Sequence, residues 1–196
     1  MNYDNIFLVR DGSIGGTLHL KAMNLPGDPY DIHAGVTRPV YPIIYKQHSG
    51  RYLHDQLTTT HAILVLYSER VISMLADRKF TGWITYPVEI YRKDGRSIPG
   101  YYGFSVIGRC GPIDDGRRQR VLLPPREKGG KCVQGLRGLK FQGDSWDGSD
   151  IFCPLGTGFI FITEEVRRSL QEIKPSNVSF LKLSDFEVID ASGLVS

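Results

Sequence analysis

The chain has 196 residues, 41% of them apolar and 11% aromatic, with a formal net charge of +3. That length supports a real core, and that composition excludes a disordered chain. The longest apolar run, residues 62–67, is far short of the ~20 residues that span a bilayer.

The first sixty residues read as short strands and turns. Residues 5–10 form an apolar run ended by Asp11-Gly12-Ser13, and residues 17–22 alternate Leu18, Leu20 and Ala22 with polar neighbours, the period of a half-buried strand. The stretch Gly12-Ser13-Ile14-Gly15-Gly16-Thr17 lacks the lysine of a phosphate loop and the glycine spacing of a dinucleotide site, so a hairpin turn is expected there. Residues 24–39 carry Pro26-Gly27, Asp28-Pro29, Gly35 and Pro39 and read as a loop. Residues 40–46 read as a further strand, and Pro42 suggests an edge position.

A repeat at an offset of 95 residues is the clearest organisation. Residues 62–67 precede Ser68-Glu69-Arg70-Val71, then Leu75, Lys79 and Gly82; residues 158–162 precede Thr163-Glu164-Glu165-Val166, then Leu170, Lys174 and Asn177. Ser68 and Thr163 are N-cap residue types, and the acids after them favour a helix start. Val71/Leu75 and Val166/Leu170 are i, i+4 pairs that give each helix one apolar stripe. Gly82 and Asn177 tolerate a left-handed backbone beyond the helix end. The spacing predicts helices over 69–79 and 164–173, each between two strands and packed on its own strands. Residues 83–91 and 101–109 are expected to form a hairpin around Asp94-Gly95.

Residues 113–150 form a Gly/Pro-rich connection with a short strand expected at 121–123. Within residues 116–140, eight basic side chains face one acid, Glu127, so that segment carries +7. Residues 1–115 carry +1 and residues 141–196 carry −5. The candidate partner-binding residues are therefore Arg117, Arg118, Arg120, Arg126, Lys128 and Lys131. Asp144, Asp147 and Asp150 offer three carboxylates, but their spacing departs from a calcium loop and fits Asx-type turns. The histidines (His19, His33, His48, His54, His61) make no metal-binding pair, and the cysteines (Cys110, Cys132, Cys153) make no Cys-x-x-Cys; no metal, cofactor or catalytic residue is assigned. An odd, sparse cysteine count and no basic, apolar leader lead to the expectation of a cytoplasmic protein with reduced thiols.

The stretches Tyr67-Ser-Glu-Arg-Val71, Thr81-Gly82, Tyr86-Pro87-Val88-Glu89, Gly108-Arg-Cys-Gly-Pro-Ile-Asp114, Trp146-Asp-Gly-Ser-Asp-Ile-Phe152 and Thr163-Glu-Glu-Val166 with Ser176-Asn177-Val178 cover roughly residues 60–190. Together they resemble the immunity-protein domains of bacterial polymorphic toxin systems, of the kind first noted in myxobacteria. The resemblance implies a cytoplasmic, non-enzymatic protein that neutralises a cognate toxin domain by binding it, without a cofactor. It transfers no binding residue. The alternative is a nucleic-acid-binding protein acting through residues 117–140.

The expected class is α+β in one domain over 1–196, mostly antiparallel sheet with two short helices in a duplicated strand–helix–strand unit. Its parts are a β-rich stretch (1–60), the first unit with its hairpin (61–112), the basic connection (113–150) and the second unit (151–196). Ile63, Val65, Val71, Leu75, Trp83, Ile160, Ile162, Val166 and Leu170 are the expected core.

Overall fold

The computed structural model describes residues 3–125, 127 and 129–189. The chain opens with β1 (Ile6–Asp11) and β2 (His19–Ala22), a short helix α1 (Pro29–His33), then β3 (Ile43–Ser49) and β4 (Gln56–Thr59). The first strand–helix–strand unit follows as β5 (Val65–Ser68), α2 (Glu69–Asp77) and β6 (Trp83–Tyr86), with β7 (Val88–Tyr91) directly after it. Next come β8 (Tyr101–Val106), β9 (Gly108–Cys110), β10 (Gln119–Leu123), β11 (Val133–Arg137) and β12 (Ile151–Pro154). The second unit is β13 (Ile160–Thr163), α3 (Glu164–Ile173) and β14 (Val178–Lys182), and β15 (Glu187–Ile189) follows. The class is α+β, with antiparallel pairings dominant.

Three sheets result: β6-β8-β5-β4-β2-β3-β7, β14-β1-β13-β12-β9, and β10-β11-β15. In each unit the two strands flanking the helix do not touch. A strand from the other half of the chain lies between them. β8 pairs with β5 (Ser68↔Tyr101) and β6 (Trp83↔Val106), while β1 pairs with β13 (Ile6↔Thr163) and β14 (Asp11↔Val178). Every partner in the second set is the first shifted by 95 residues, and Gln56↔Tyr67 maps likewise onto Ile151↔Ile162. The two halves have exchanged their first strands.

The backbone repeats as well. Lys79 (φ 56°) and Lys174 (φ 47°) both turn left-handed after their helices, as do Gly82 (φ 89°) and Asn177 (φ 60°). At Gly82 a side chain is excluded by space too, since a Cβ would lie 1.9 Å from the Ile151 carbonyl oxygen. Asn177 repeats the bend and uses its amide, donating to the Gln56 carbonyl (3.1 Å) and accepting from the Ile14 amide (3.3 Å).

Both helices bury their apolar stripes in one core. Val71, Leu75, Val166 and Leu170 pack with Phe7, Val65, Tyr67, Phe104, Ile160 and Ile162. Each helix packs on a strand of its own unit as expected, α2 on β5 and α3 on β13, and also on the exchanged strand, β8 or β1, and on the other helix, so the two units share one core. Trp83 is only partly buried there, and Ile63 lies at the border of a second core on the far side of the seven-stranded sheet. Ser68 and Thr163 occupy the N-cap positions, but neither side chain caps its helix. The Ser68 hydroxyl donates instead to the Asp55 carboxylate (2.7 Å).

Other local expectations are revised. Residues 24–39 contain α1, because Asp28 accepts from the Tyr30 amide as N-cap (2.7 Å) and Pro29 begins the helix; Asp-Pro starts helices as well as turns. β3 is an interior strand between β2 and β7, with Pro42 just before it where no ladder bond is lost. The 12–17 stretch is no hairpin turn, since β1 and β2 belong to different sheets. Pro87 separates β6 from β7, so 83–91 and 101–109 do not form one hairpin: β6 joins β8 and β7 joins β3 at the other edge. The 113–150 connection contains a real hairpin, β10–β11.

Candidate partner-binding surfaces

The hairpin β10–β11, completed by β15, is a small sheet of its own and carries most of the basic segment. Its basic side chains divide into two groups. The Arg118 side chain is only 7% exposed; its guanidinium donates to the Gly138 carbonyl (2.8 Å), pairs with Asp115 (2.9 Å) and lies over the Phe186 ring. Arg117 reaches the Phe141 carbonyl (3.4 Å), Arg137 pairs with Glu187 (2.7 Å), and the Lys140 ammonium sits 4.2 Å from the Tyr3 ring centre. These four hold the arm to itself and to the body. Arg120 and Lys131 are exposed. Arg126 and Lys128 lie outside the described residues.

Strand alternation decides what accompanies Arg120. Arg120, Leu136 and Val188 are cross-strand neighbours, and Leu122 follows two residues after Arg120 on the same face. Leu122 is 68% exposed and Val188 40%. The arm therefore presents an apolar strip beside Arg120.

The three aspartates do structural work separately. Asp150 accepts from the amide and hydroxyl of Thr81 (both 2.8 Å), Asp147 accepts from the amides of Arg109 (2.7 Å) and Ser149 (2.9 Å), and Asp144 lies in a 3-10 turn. Among the described residues no three His, Cys, Asp or Glu side chains gather closely enough to hold a metal ion.

The thiols are similarly placed. Burial, with Cys153 and Asp147 nearby, pushes the Cys110 thiol up to about 12, and burial also raises Cys153, which donates to the Thr157 carbonyl (3.1 Å). Cys110 and Cys153 belong to different cores on neighbouring strands, and Cys132 is exposed on the arm. A thiol raised by burial is a poor nucleophile.

No family model matches the chain. No curated protein matches its sequence either.

A second basic surface, absent from the sequence reading, lies on the seven-stranded sheet. The helices and the opposing sheet cover β5, β8 and β6, and their core contains no residue of β2, β3 or β7. On that side one cross-strand row is Lys21–Lys46–Tyr91, and the next is Met23–Ile44–Glu89. His19 stands beside Lys21, bonded to the Thr58 hydroxyl (3.0 Å) and edge-on to His48 at 5.8 Å. The opposite side of these strands supplies Leu20, Ile43, Tyr45 and Ile90 to the second core. Its signal in the sequence is the alternation within 19–23, 44–48 and 89–93, three short stretches that only the β2-β3-β7 order assembles.

Proposed function

We propose that the chain is a non-enzymatic immunity protein that binds and neutralises a cognate bacterial toxin domain in the cytoplasm, with the β10-β11-β15 arm as its contact surface. The observation that carries this reading is the exposed strip of Leu122 and Val188 beside Arg120. Protein interfaces combine an apolar centre with arginine, and complementary charge speeds encounter and selects the partner. The matching toxin face is apolar at its centre and acidic at its rim.

Nucleic-acid binding through residues 117–140 fits this arm less well. A phosphate backbone is held by cations that are free to neutralise it, whereas the Arg118 side chain is buried against Gly138, Arg137 is paired with Glu187 and Lys140 sits over the Tyr3 ring. Leucine and valine occupy the centre of the face.

The test is co-expression with the toxin domain encoded beside the gene. The wild-type chain is expected to restore growth and to form a stoichiometric complex. Leu122→Asp combined with Arg120→Glu is expected to weaken that complex at least about tenfold, the loss of a central contact. Full protection by the double variant, or none by the wild type, refutes the assignment.

A further inference from the structure

The uncovered face of the seven-stranded sheet has a problem that a ligand would solve. Lys21 and Lys46 are directly opposed on antiparallel strands, where side chains start about 5 Å apart and like charges repel. Both are exposed, and neither makes an ion pair among the described residues. Lysines on edge strands deter sheet-to-sheet association, but β2 and β3 are interior strands, so that explanation does not apply. Glu89, the one carboxylate in these two rows, accepts from the Tyr91 hydroxyl (2.8 Å) and makes no ion pair with either lysine.

The face is also shaped. Beside Lys46 a hollow of about 520 Å³ is lined by Ile44, Gln47, Tyr91, Arg92 and Lys93. The Gln47 side-chain carbonyl accepts from the Lys93 amide (3.2 Å), and the Arg92 guanidinium reaches the Arg51 carbonyl (3.3 Å), so the turn after β7 is tied to β3 and to the loop beyond it. An aromatic ring, fixed by its hydroxyl, thus stands on the wall of a basic hollow beside the uncovered face of the sheet.

We propose that this face binds a nucleotide unit, either free or within a single strand, with Lys21 and Lys46 on the phosphate and Tyr91 against the base. Open sheet faces take unstacked bases on aromatic side chains while basic neighbours follow the backbone. Here the phosphate relieves the opposition of the two lysines, and the hollow beside Tyr91 accommodates the ring. This site is separate from the toxin-binding arm and does not depend on that assignment.

The full-length chain should be titrated against fluorescein-labelled oligodeoxythymidine by anisotropy, at about 50 mM and about 200 mM salt. Binding that falls with salt is expected. Lys21→Glu with Lys46→Glu should weaken it at least tenfold or so and flatten the salt dependence. Tyr91→Leu should weaken it roughly tenfold with the salt dependence unchanged, because stacking carries no charge. Arg120→Glu with Lys131→Glu, on the arm, should leave it intact. If the Glu pair lowers the thermal midpoint, Lys21→Gln with Lys46→Gln provides the same comparison. Competition by thymidine monophosphate at matching affinity assigns a free nucleotide; competition only by the strand assigns a polymer. No binding at the lower salt overturns the proposal. So does binding that survives the lysine and tyrosine substitutions but is lost with the arm pair.

Discussion

The Asp55 carboxylate accepts from both the amide (2.7 Å) and the hydroxyl (2.9 Å) of Ser176, a residue 121 positions further along the chain. Asp150 holds Thr81 in the same way, and both members are displaced by 95 residues. Each aspartate therefore fastens one half to the loop that follows the helix of the other. The first clasp is the stronger, because Arg70 adds two bonds to Asp55 and a third to the Ile173 carbonyl at the end of α3 (2.7 Å). Position 165, the counterpart of Arg70, is a glutamate.

Acid should open this clasp. Burial raises the Asp55 carboxyl, but the bonds from Arg70, the Ser176 amide and the Ser68 and Ser176 hydroxyls outweigh it and bring it down to about 2. The folded carboxyl titrates below the unfolded one, so its contribution, on the order of 2 kcal/mol, is complete above the unfolded value near 4 and is lost as pH falls towards 2. Urea unfolding from pH 6 to pH 2 should show this loss, and Asp55→Asn should remove most of it. An unchanged slope in the variant rejects the clasp as its source.

His33 should act in a higher window. It is fully buried, and among the described residues neither ring nitrogen has a partner at ordinary hydrogen-bond geometry. Burial, followed by the positive Arg109, lowers it to about 4 despite the opposing influence of the Ile63 carbonyl. The unfolded imidazole binds a proton first, so stability should fall between about pH 6.5 and about pH 4, by on the order of 3 kcal/mol. His33→Leu is expected to flatten the stability profile across that interval.

Thiol labelling should separate the cysteines. At neutral pH a maleimide should modify Cys132 rapidly, and leave Cys110 and Cys153 untouched until the protein is unfolded in urea. Mass spectrometry of the native protein should find one adduct; two or three would contradict the burial of the other thiols.

Gly82 should be intolerant of change. Gly82→Ala combines a left-handed backbone with a clash against the Ile151 carbonyl, and a loss of about 2 kcal/mol or more is expected from denaturant unfolding. Substitution at Gly95, which is also left-handed but has open space around the new Cβ, should be milder.

The periodic units were legible from the sequence because Val71/Leu75, Val166/Leu170 and the residues around them obey local rules of spacing and capping. Their sheet order was not. Residues 5–10 look like any apolar strand, and nothing local tells β1 to pair with residues more than 150 positions away. Arg118 illustrates the same limit at the candidate site: composition gives its charge, but only the fold shows its side chain turned inward. The Lys21–Lys46–Tyr91 row was hidden for the converse reason, since three unremarkable strands create it by adjacency.

Strand exchange also sets the order of events on the ribosome. β1 (Ile6–Asp11) is made well before the strands that flank it, β13 (Ile160–Thr163) and β14 (Val178–Lys182). Its apolar face, Phe7 and Val9, must wait until β13 and β14 have been translated. The first unit is likewise incomplete until β8 has followed β6. Neither half can mature as an independent package, so the nascent chain passes through a long interval in which both depend on protection from wrong pairings.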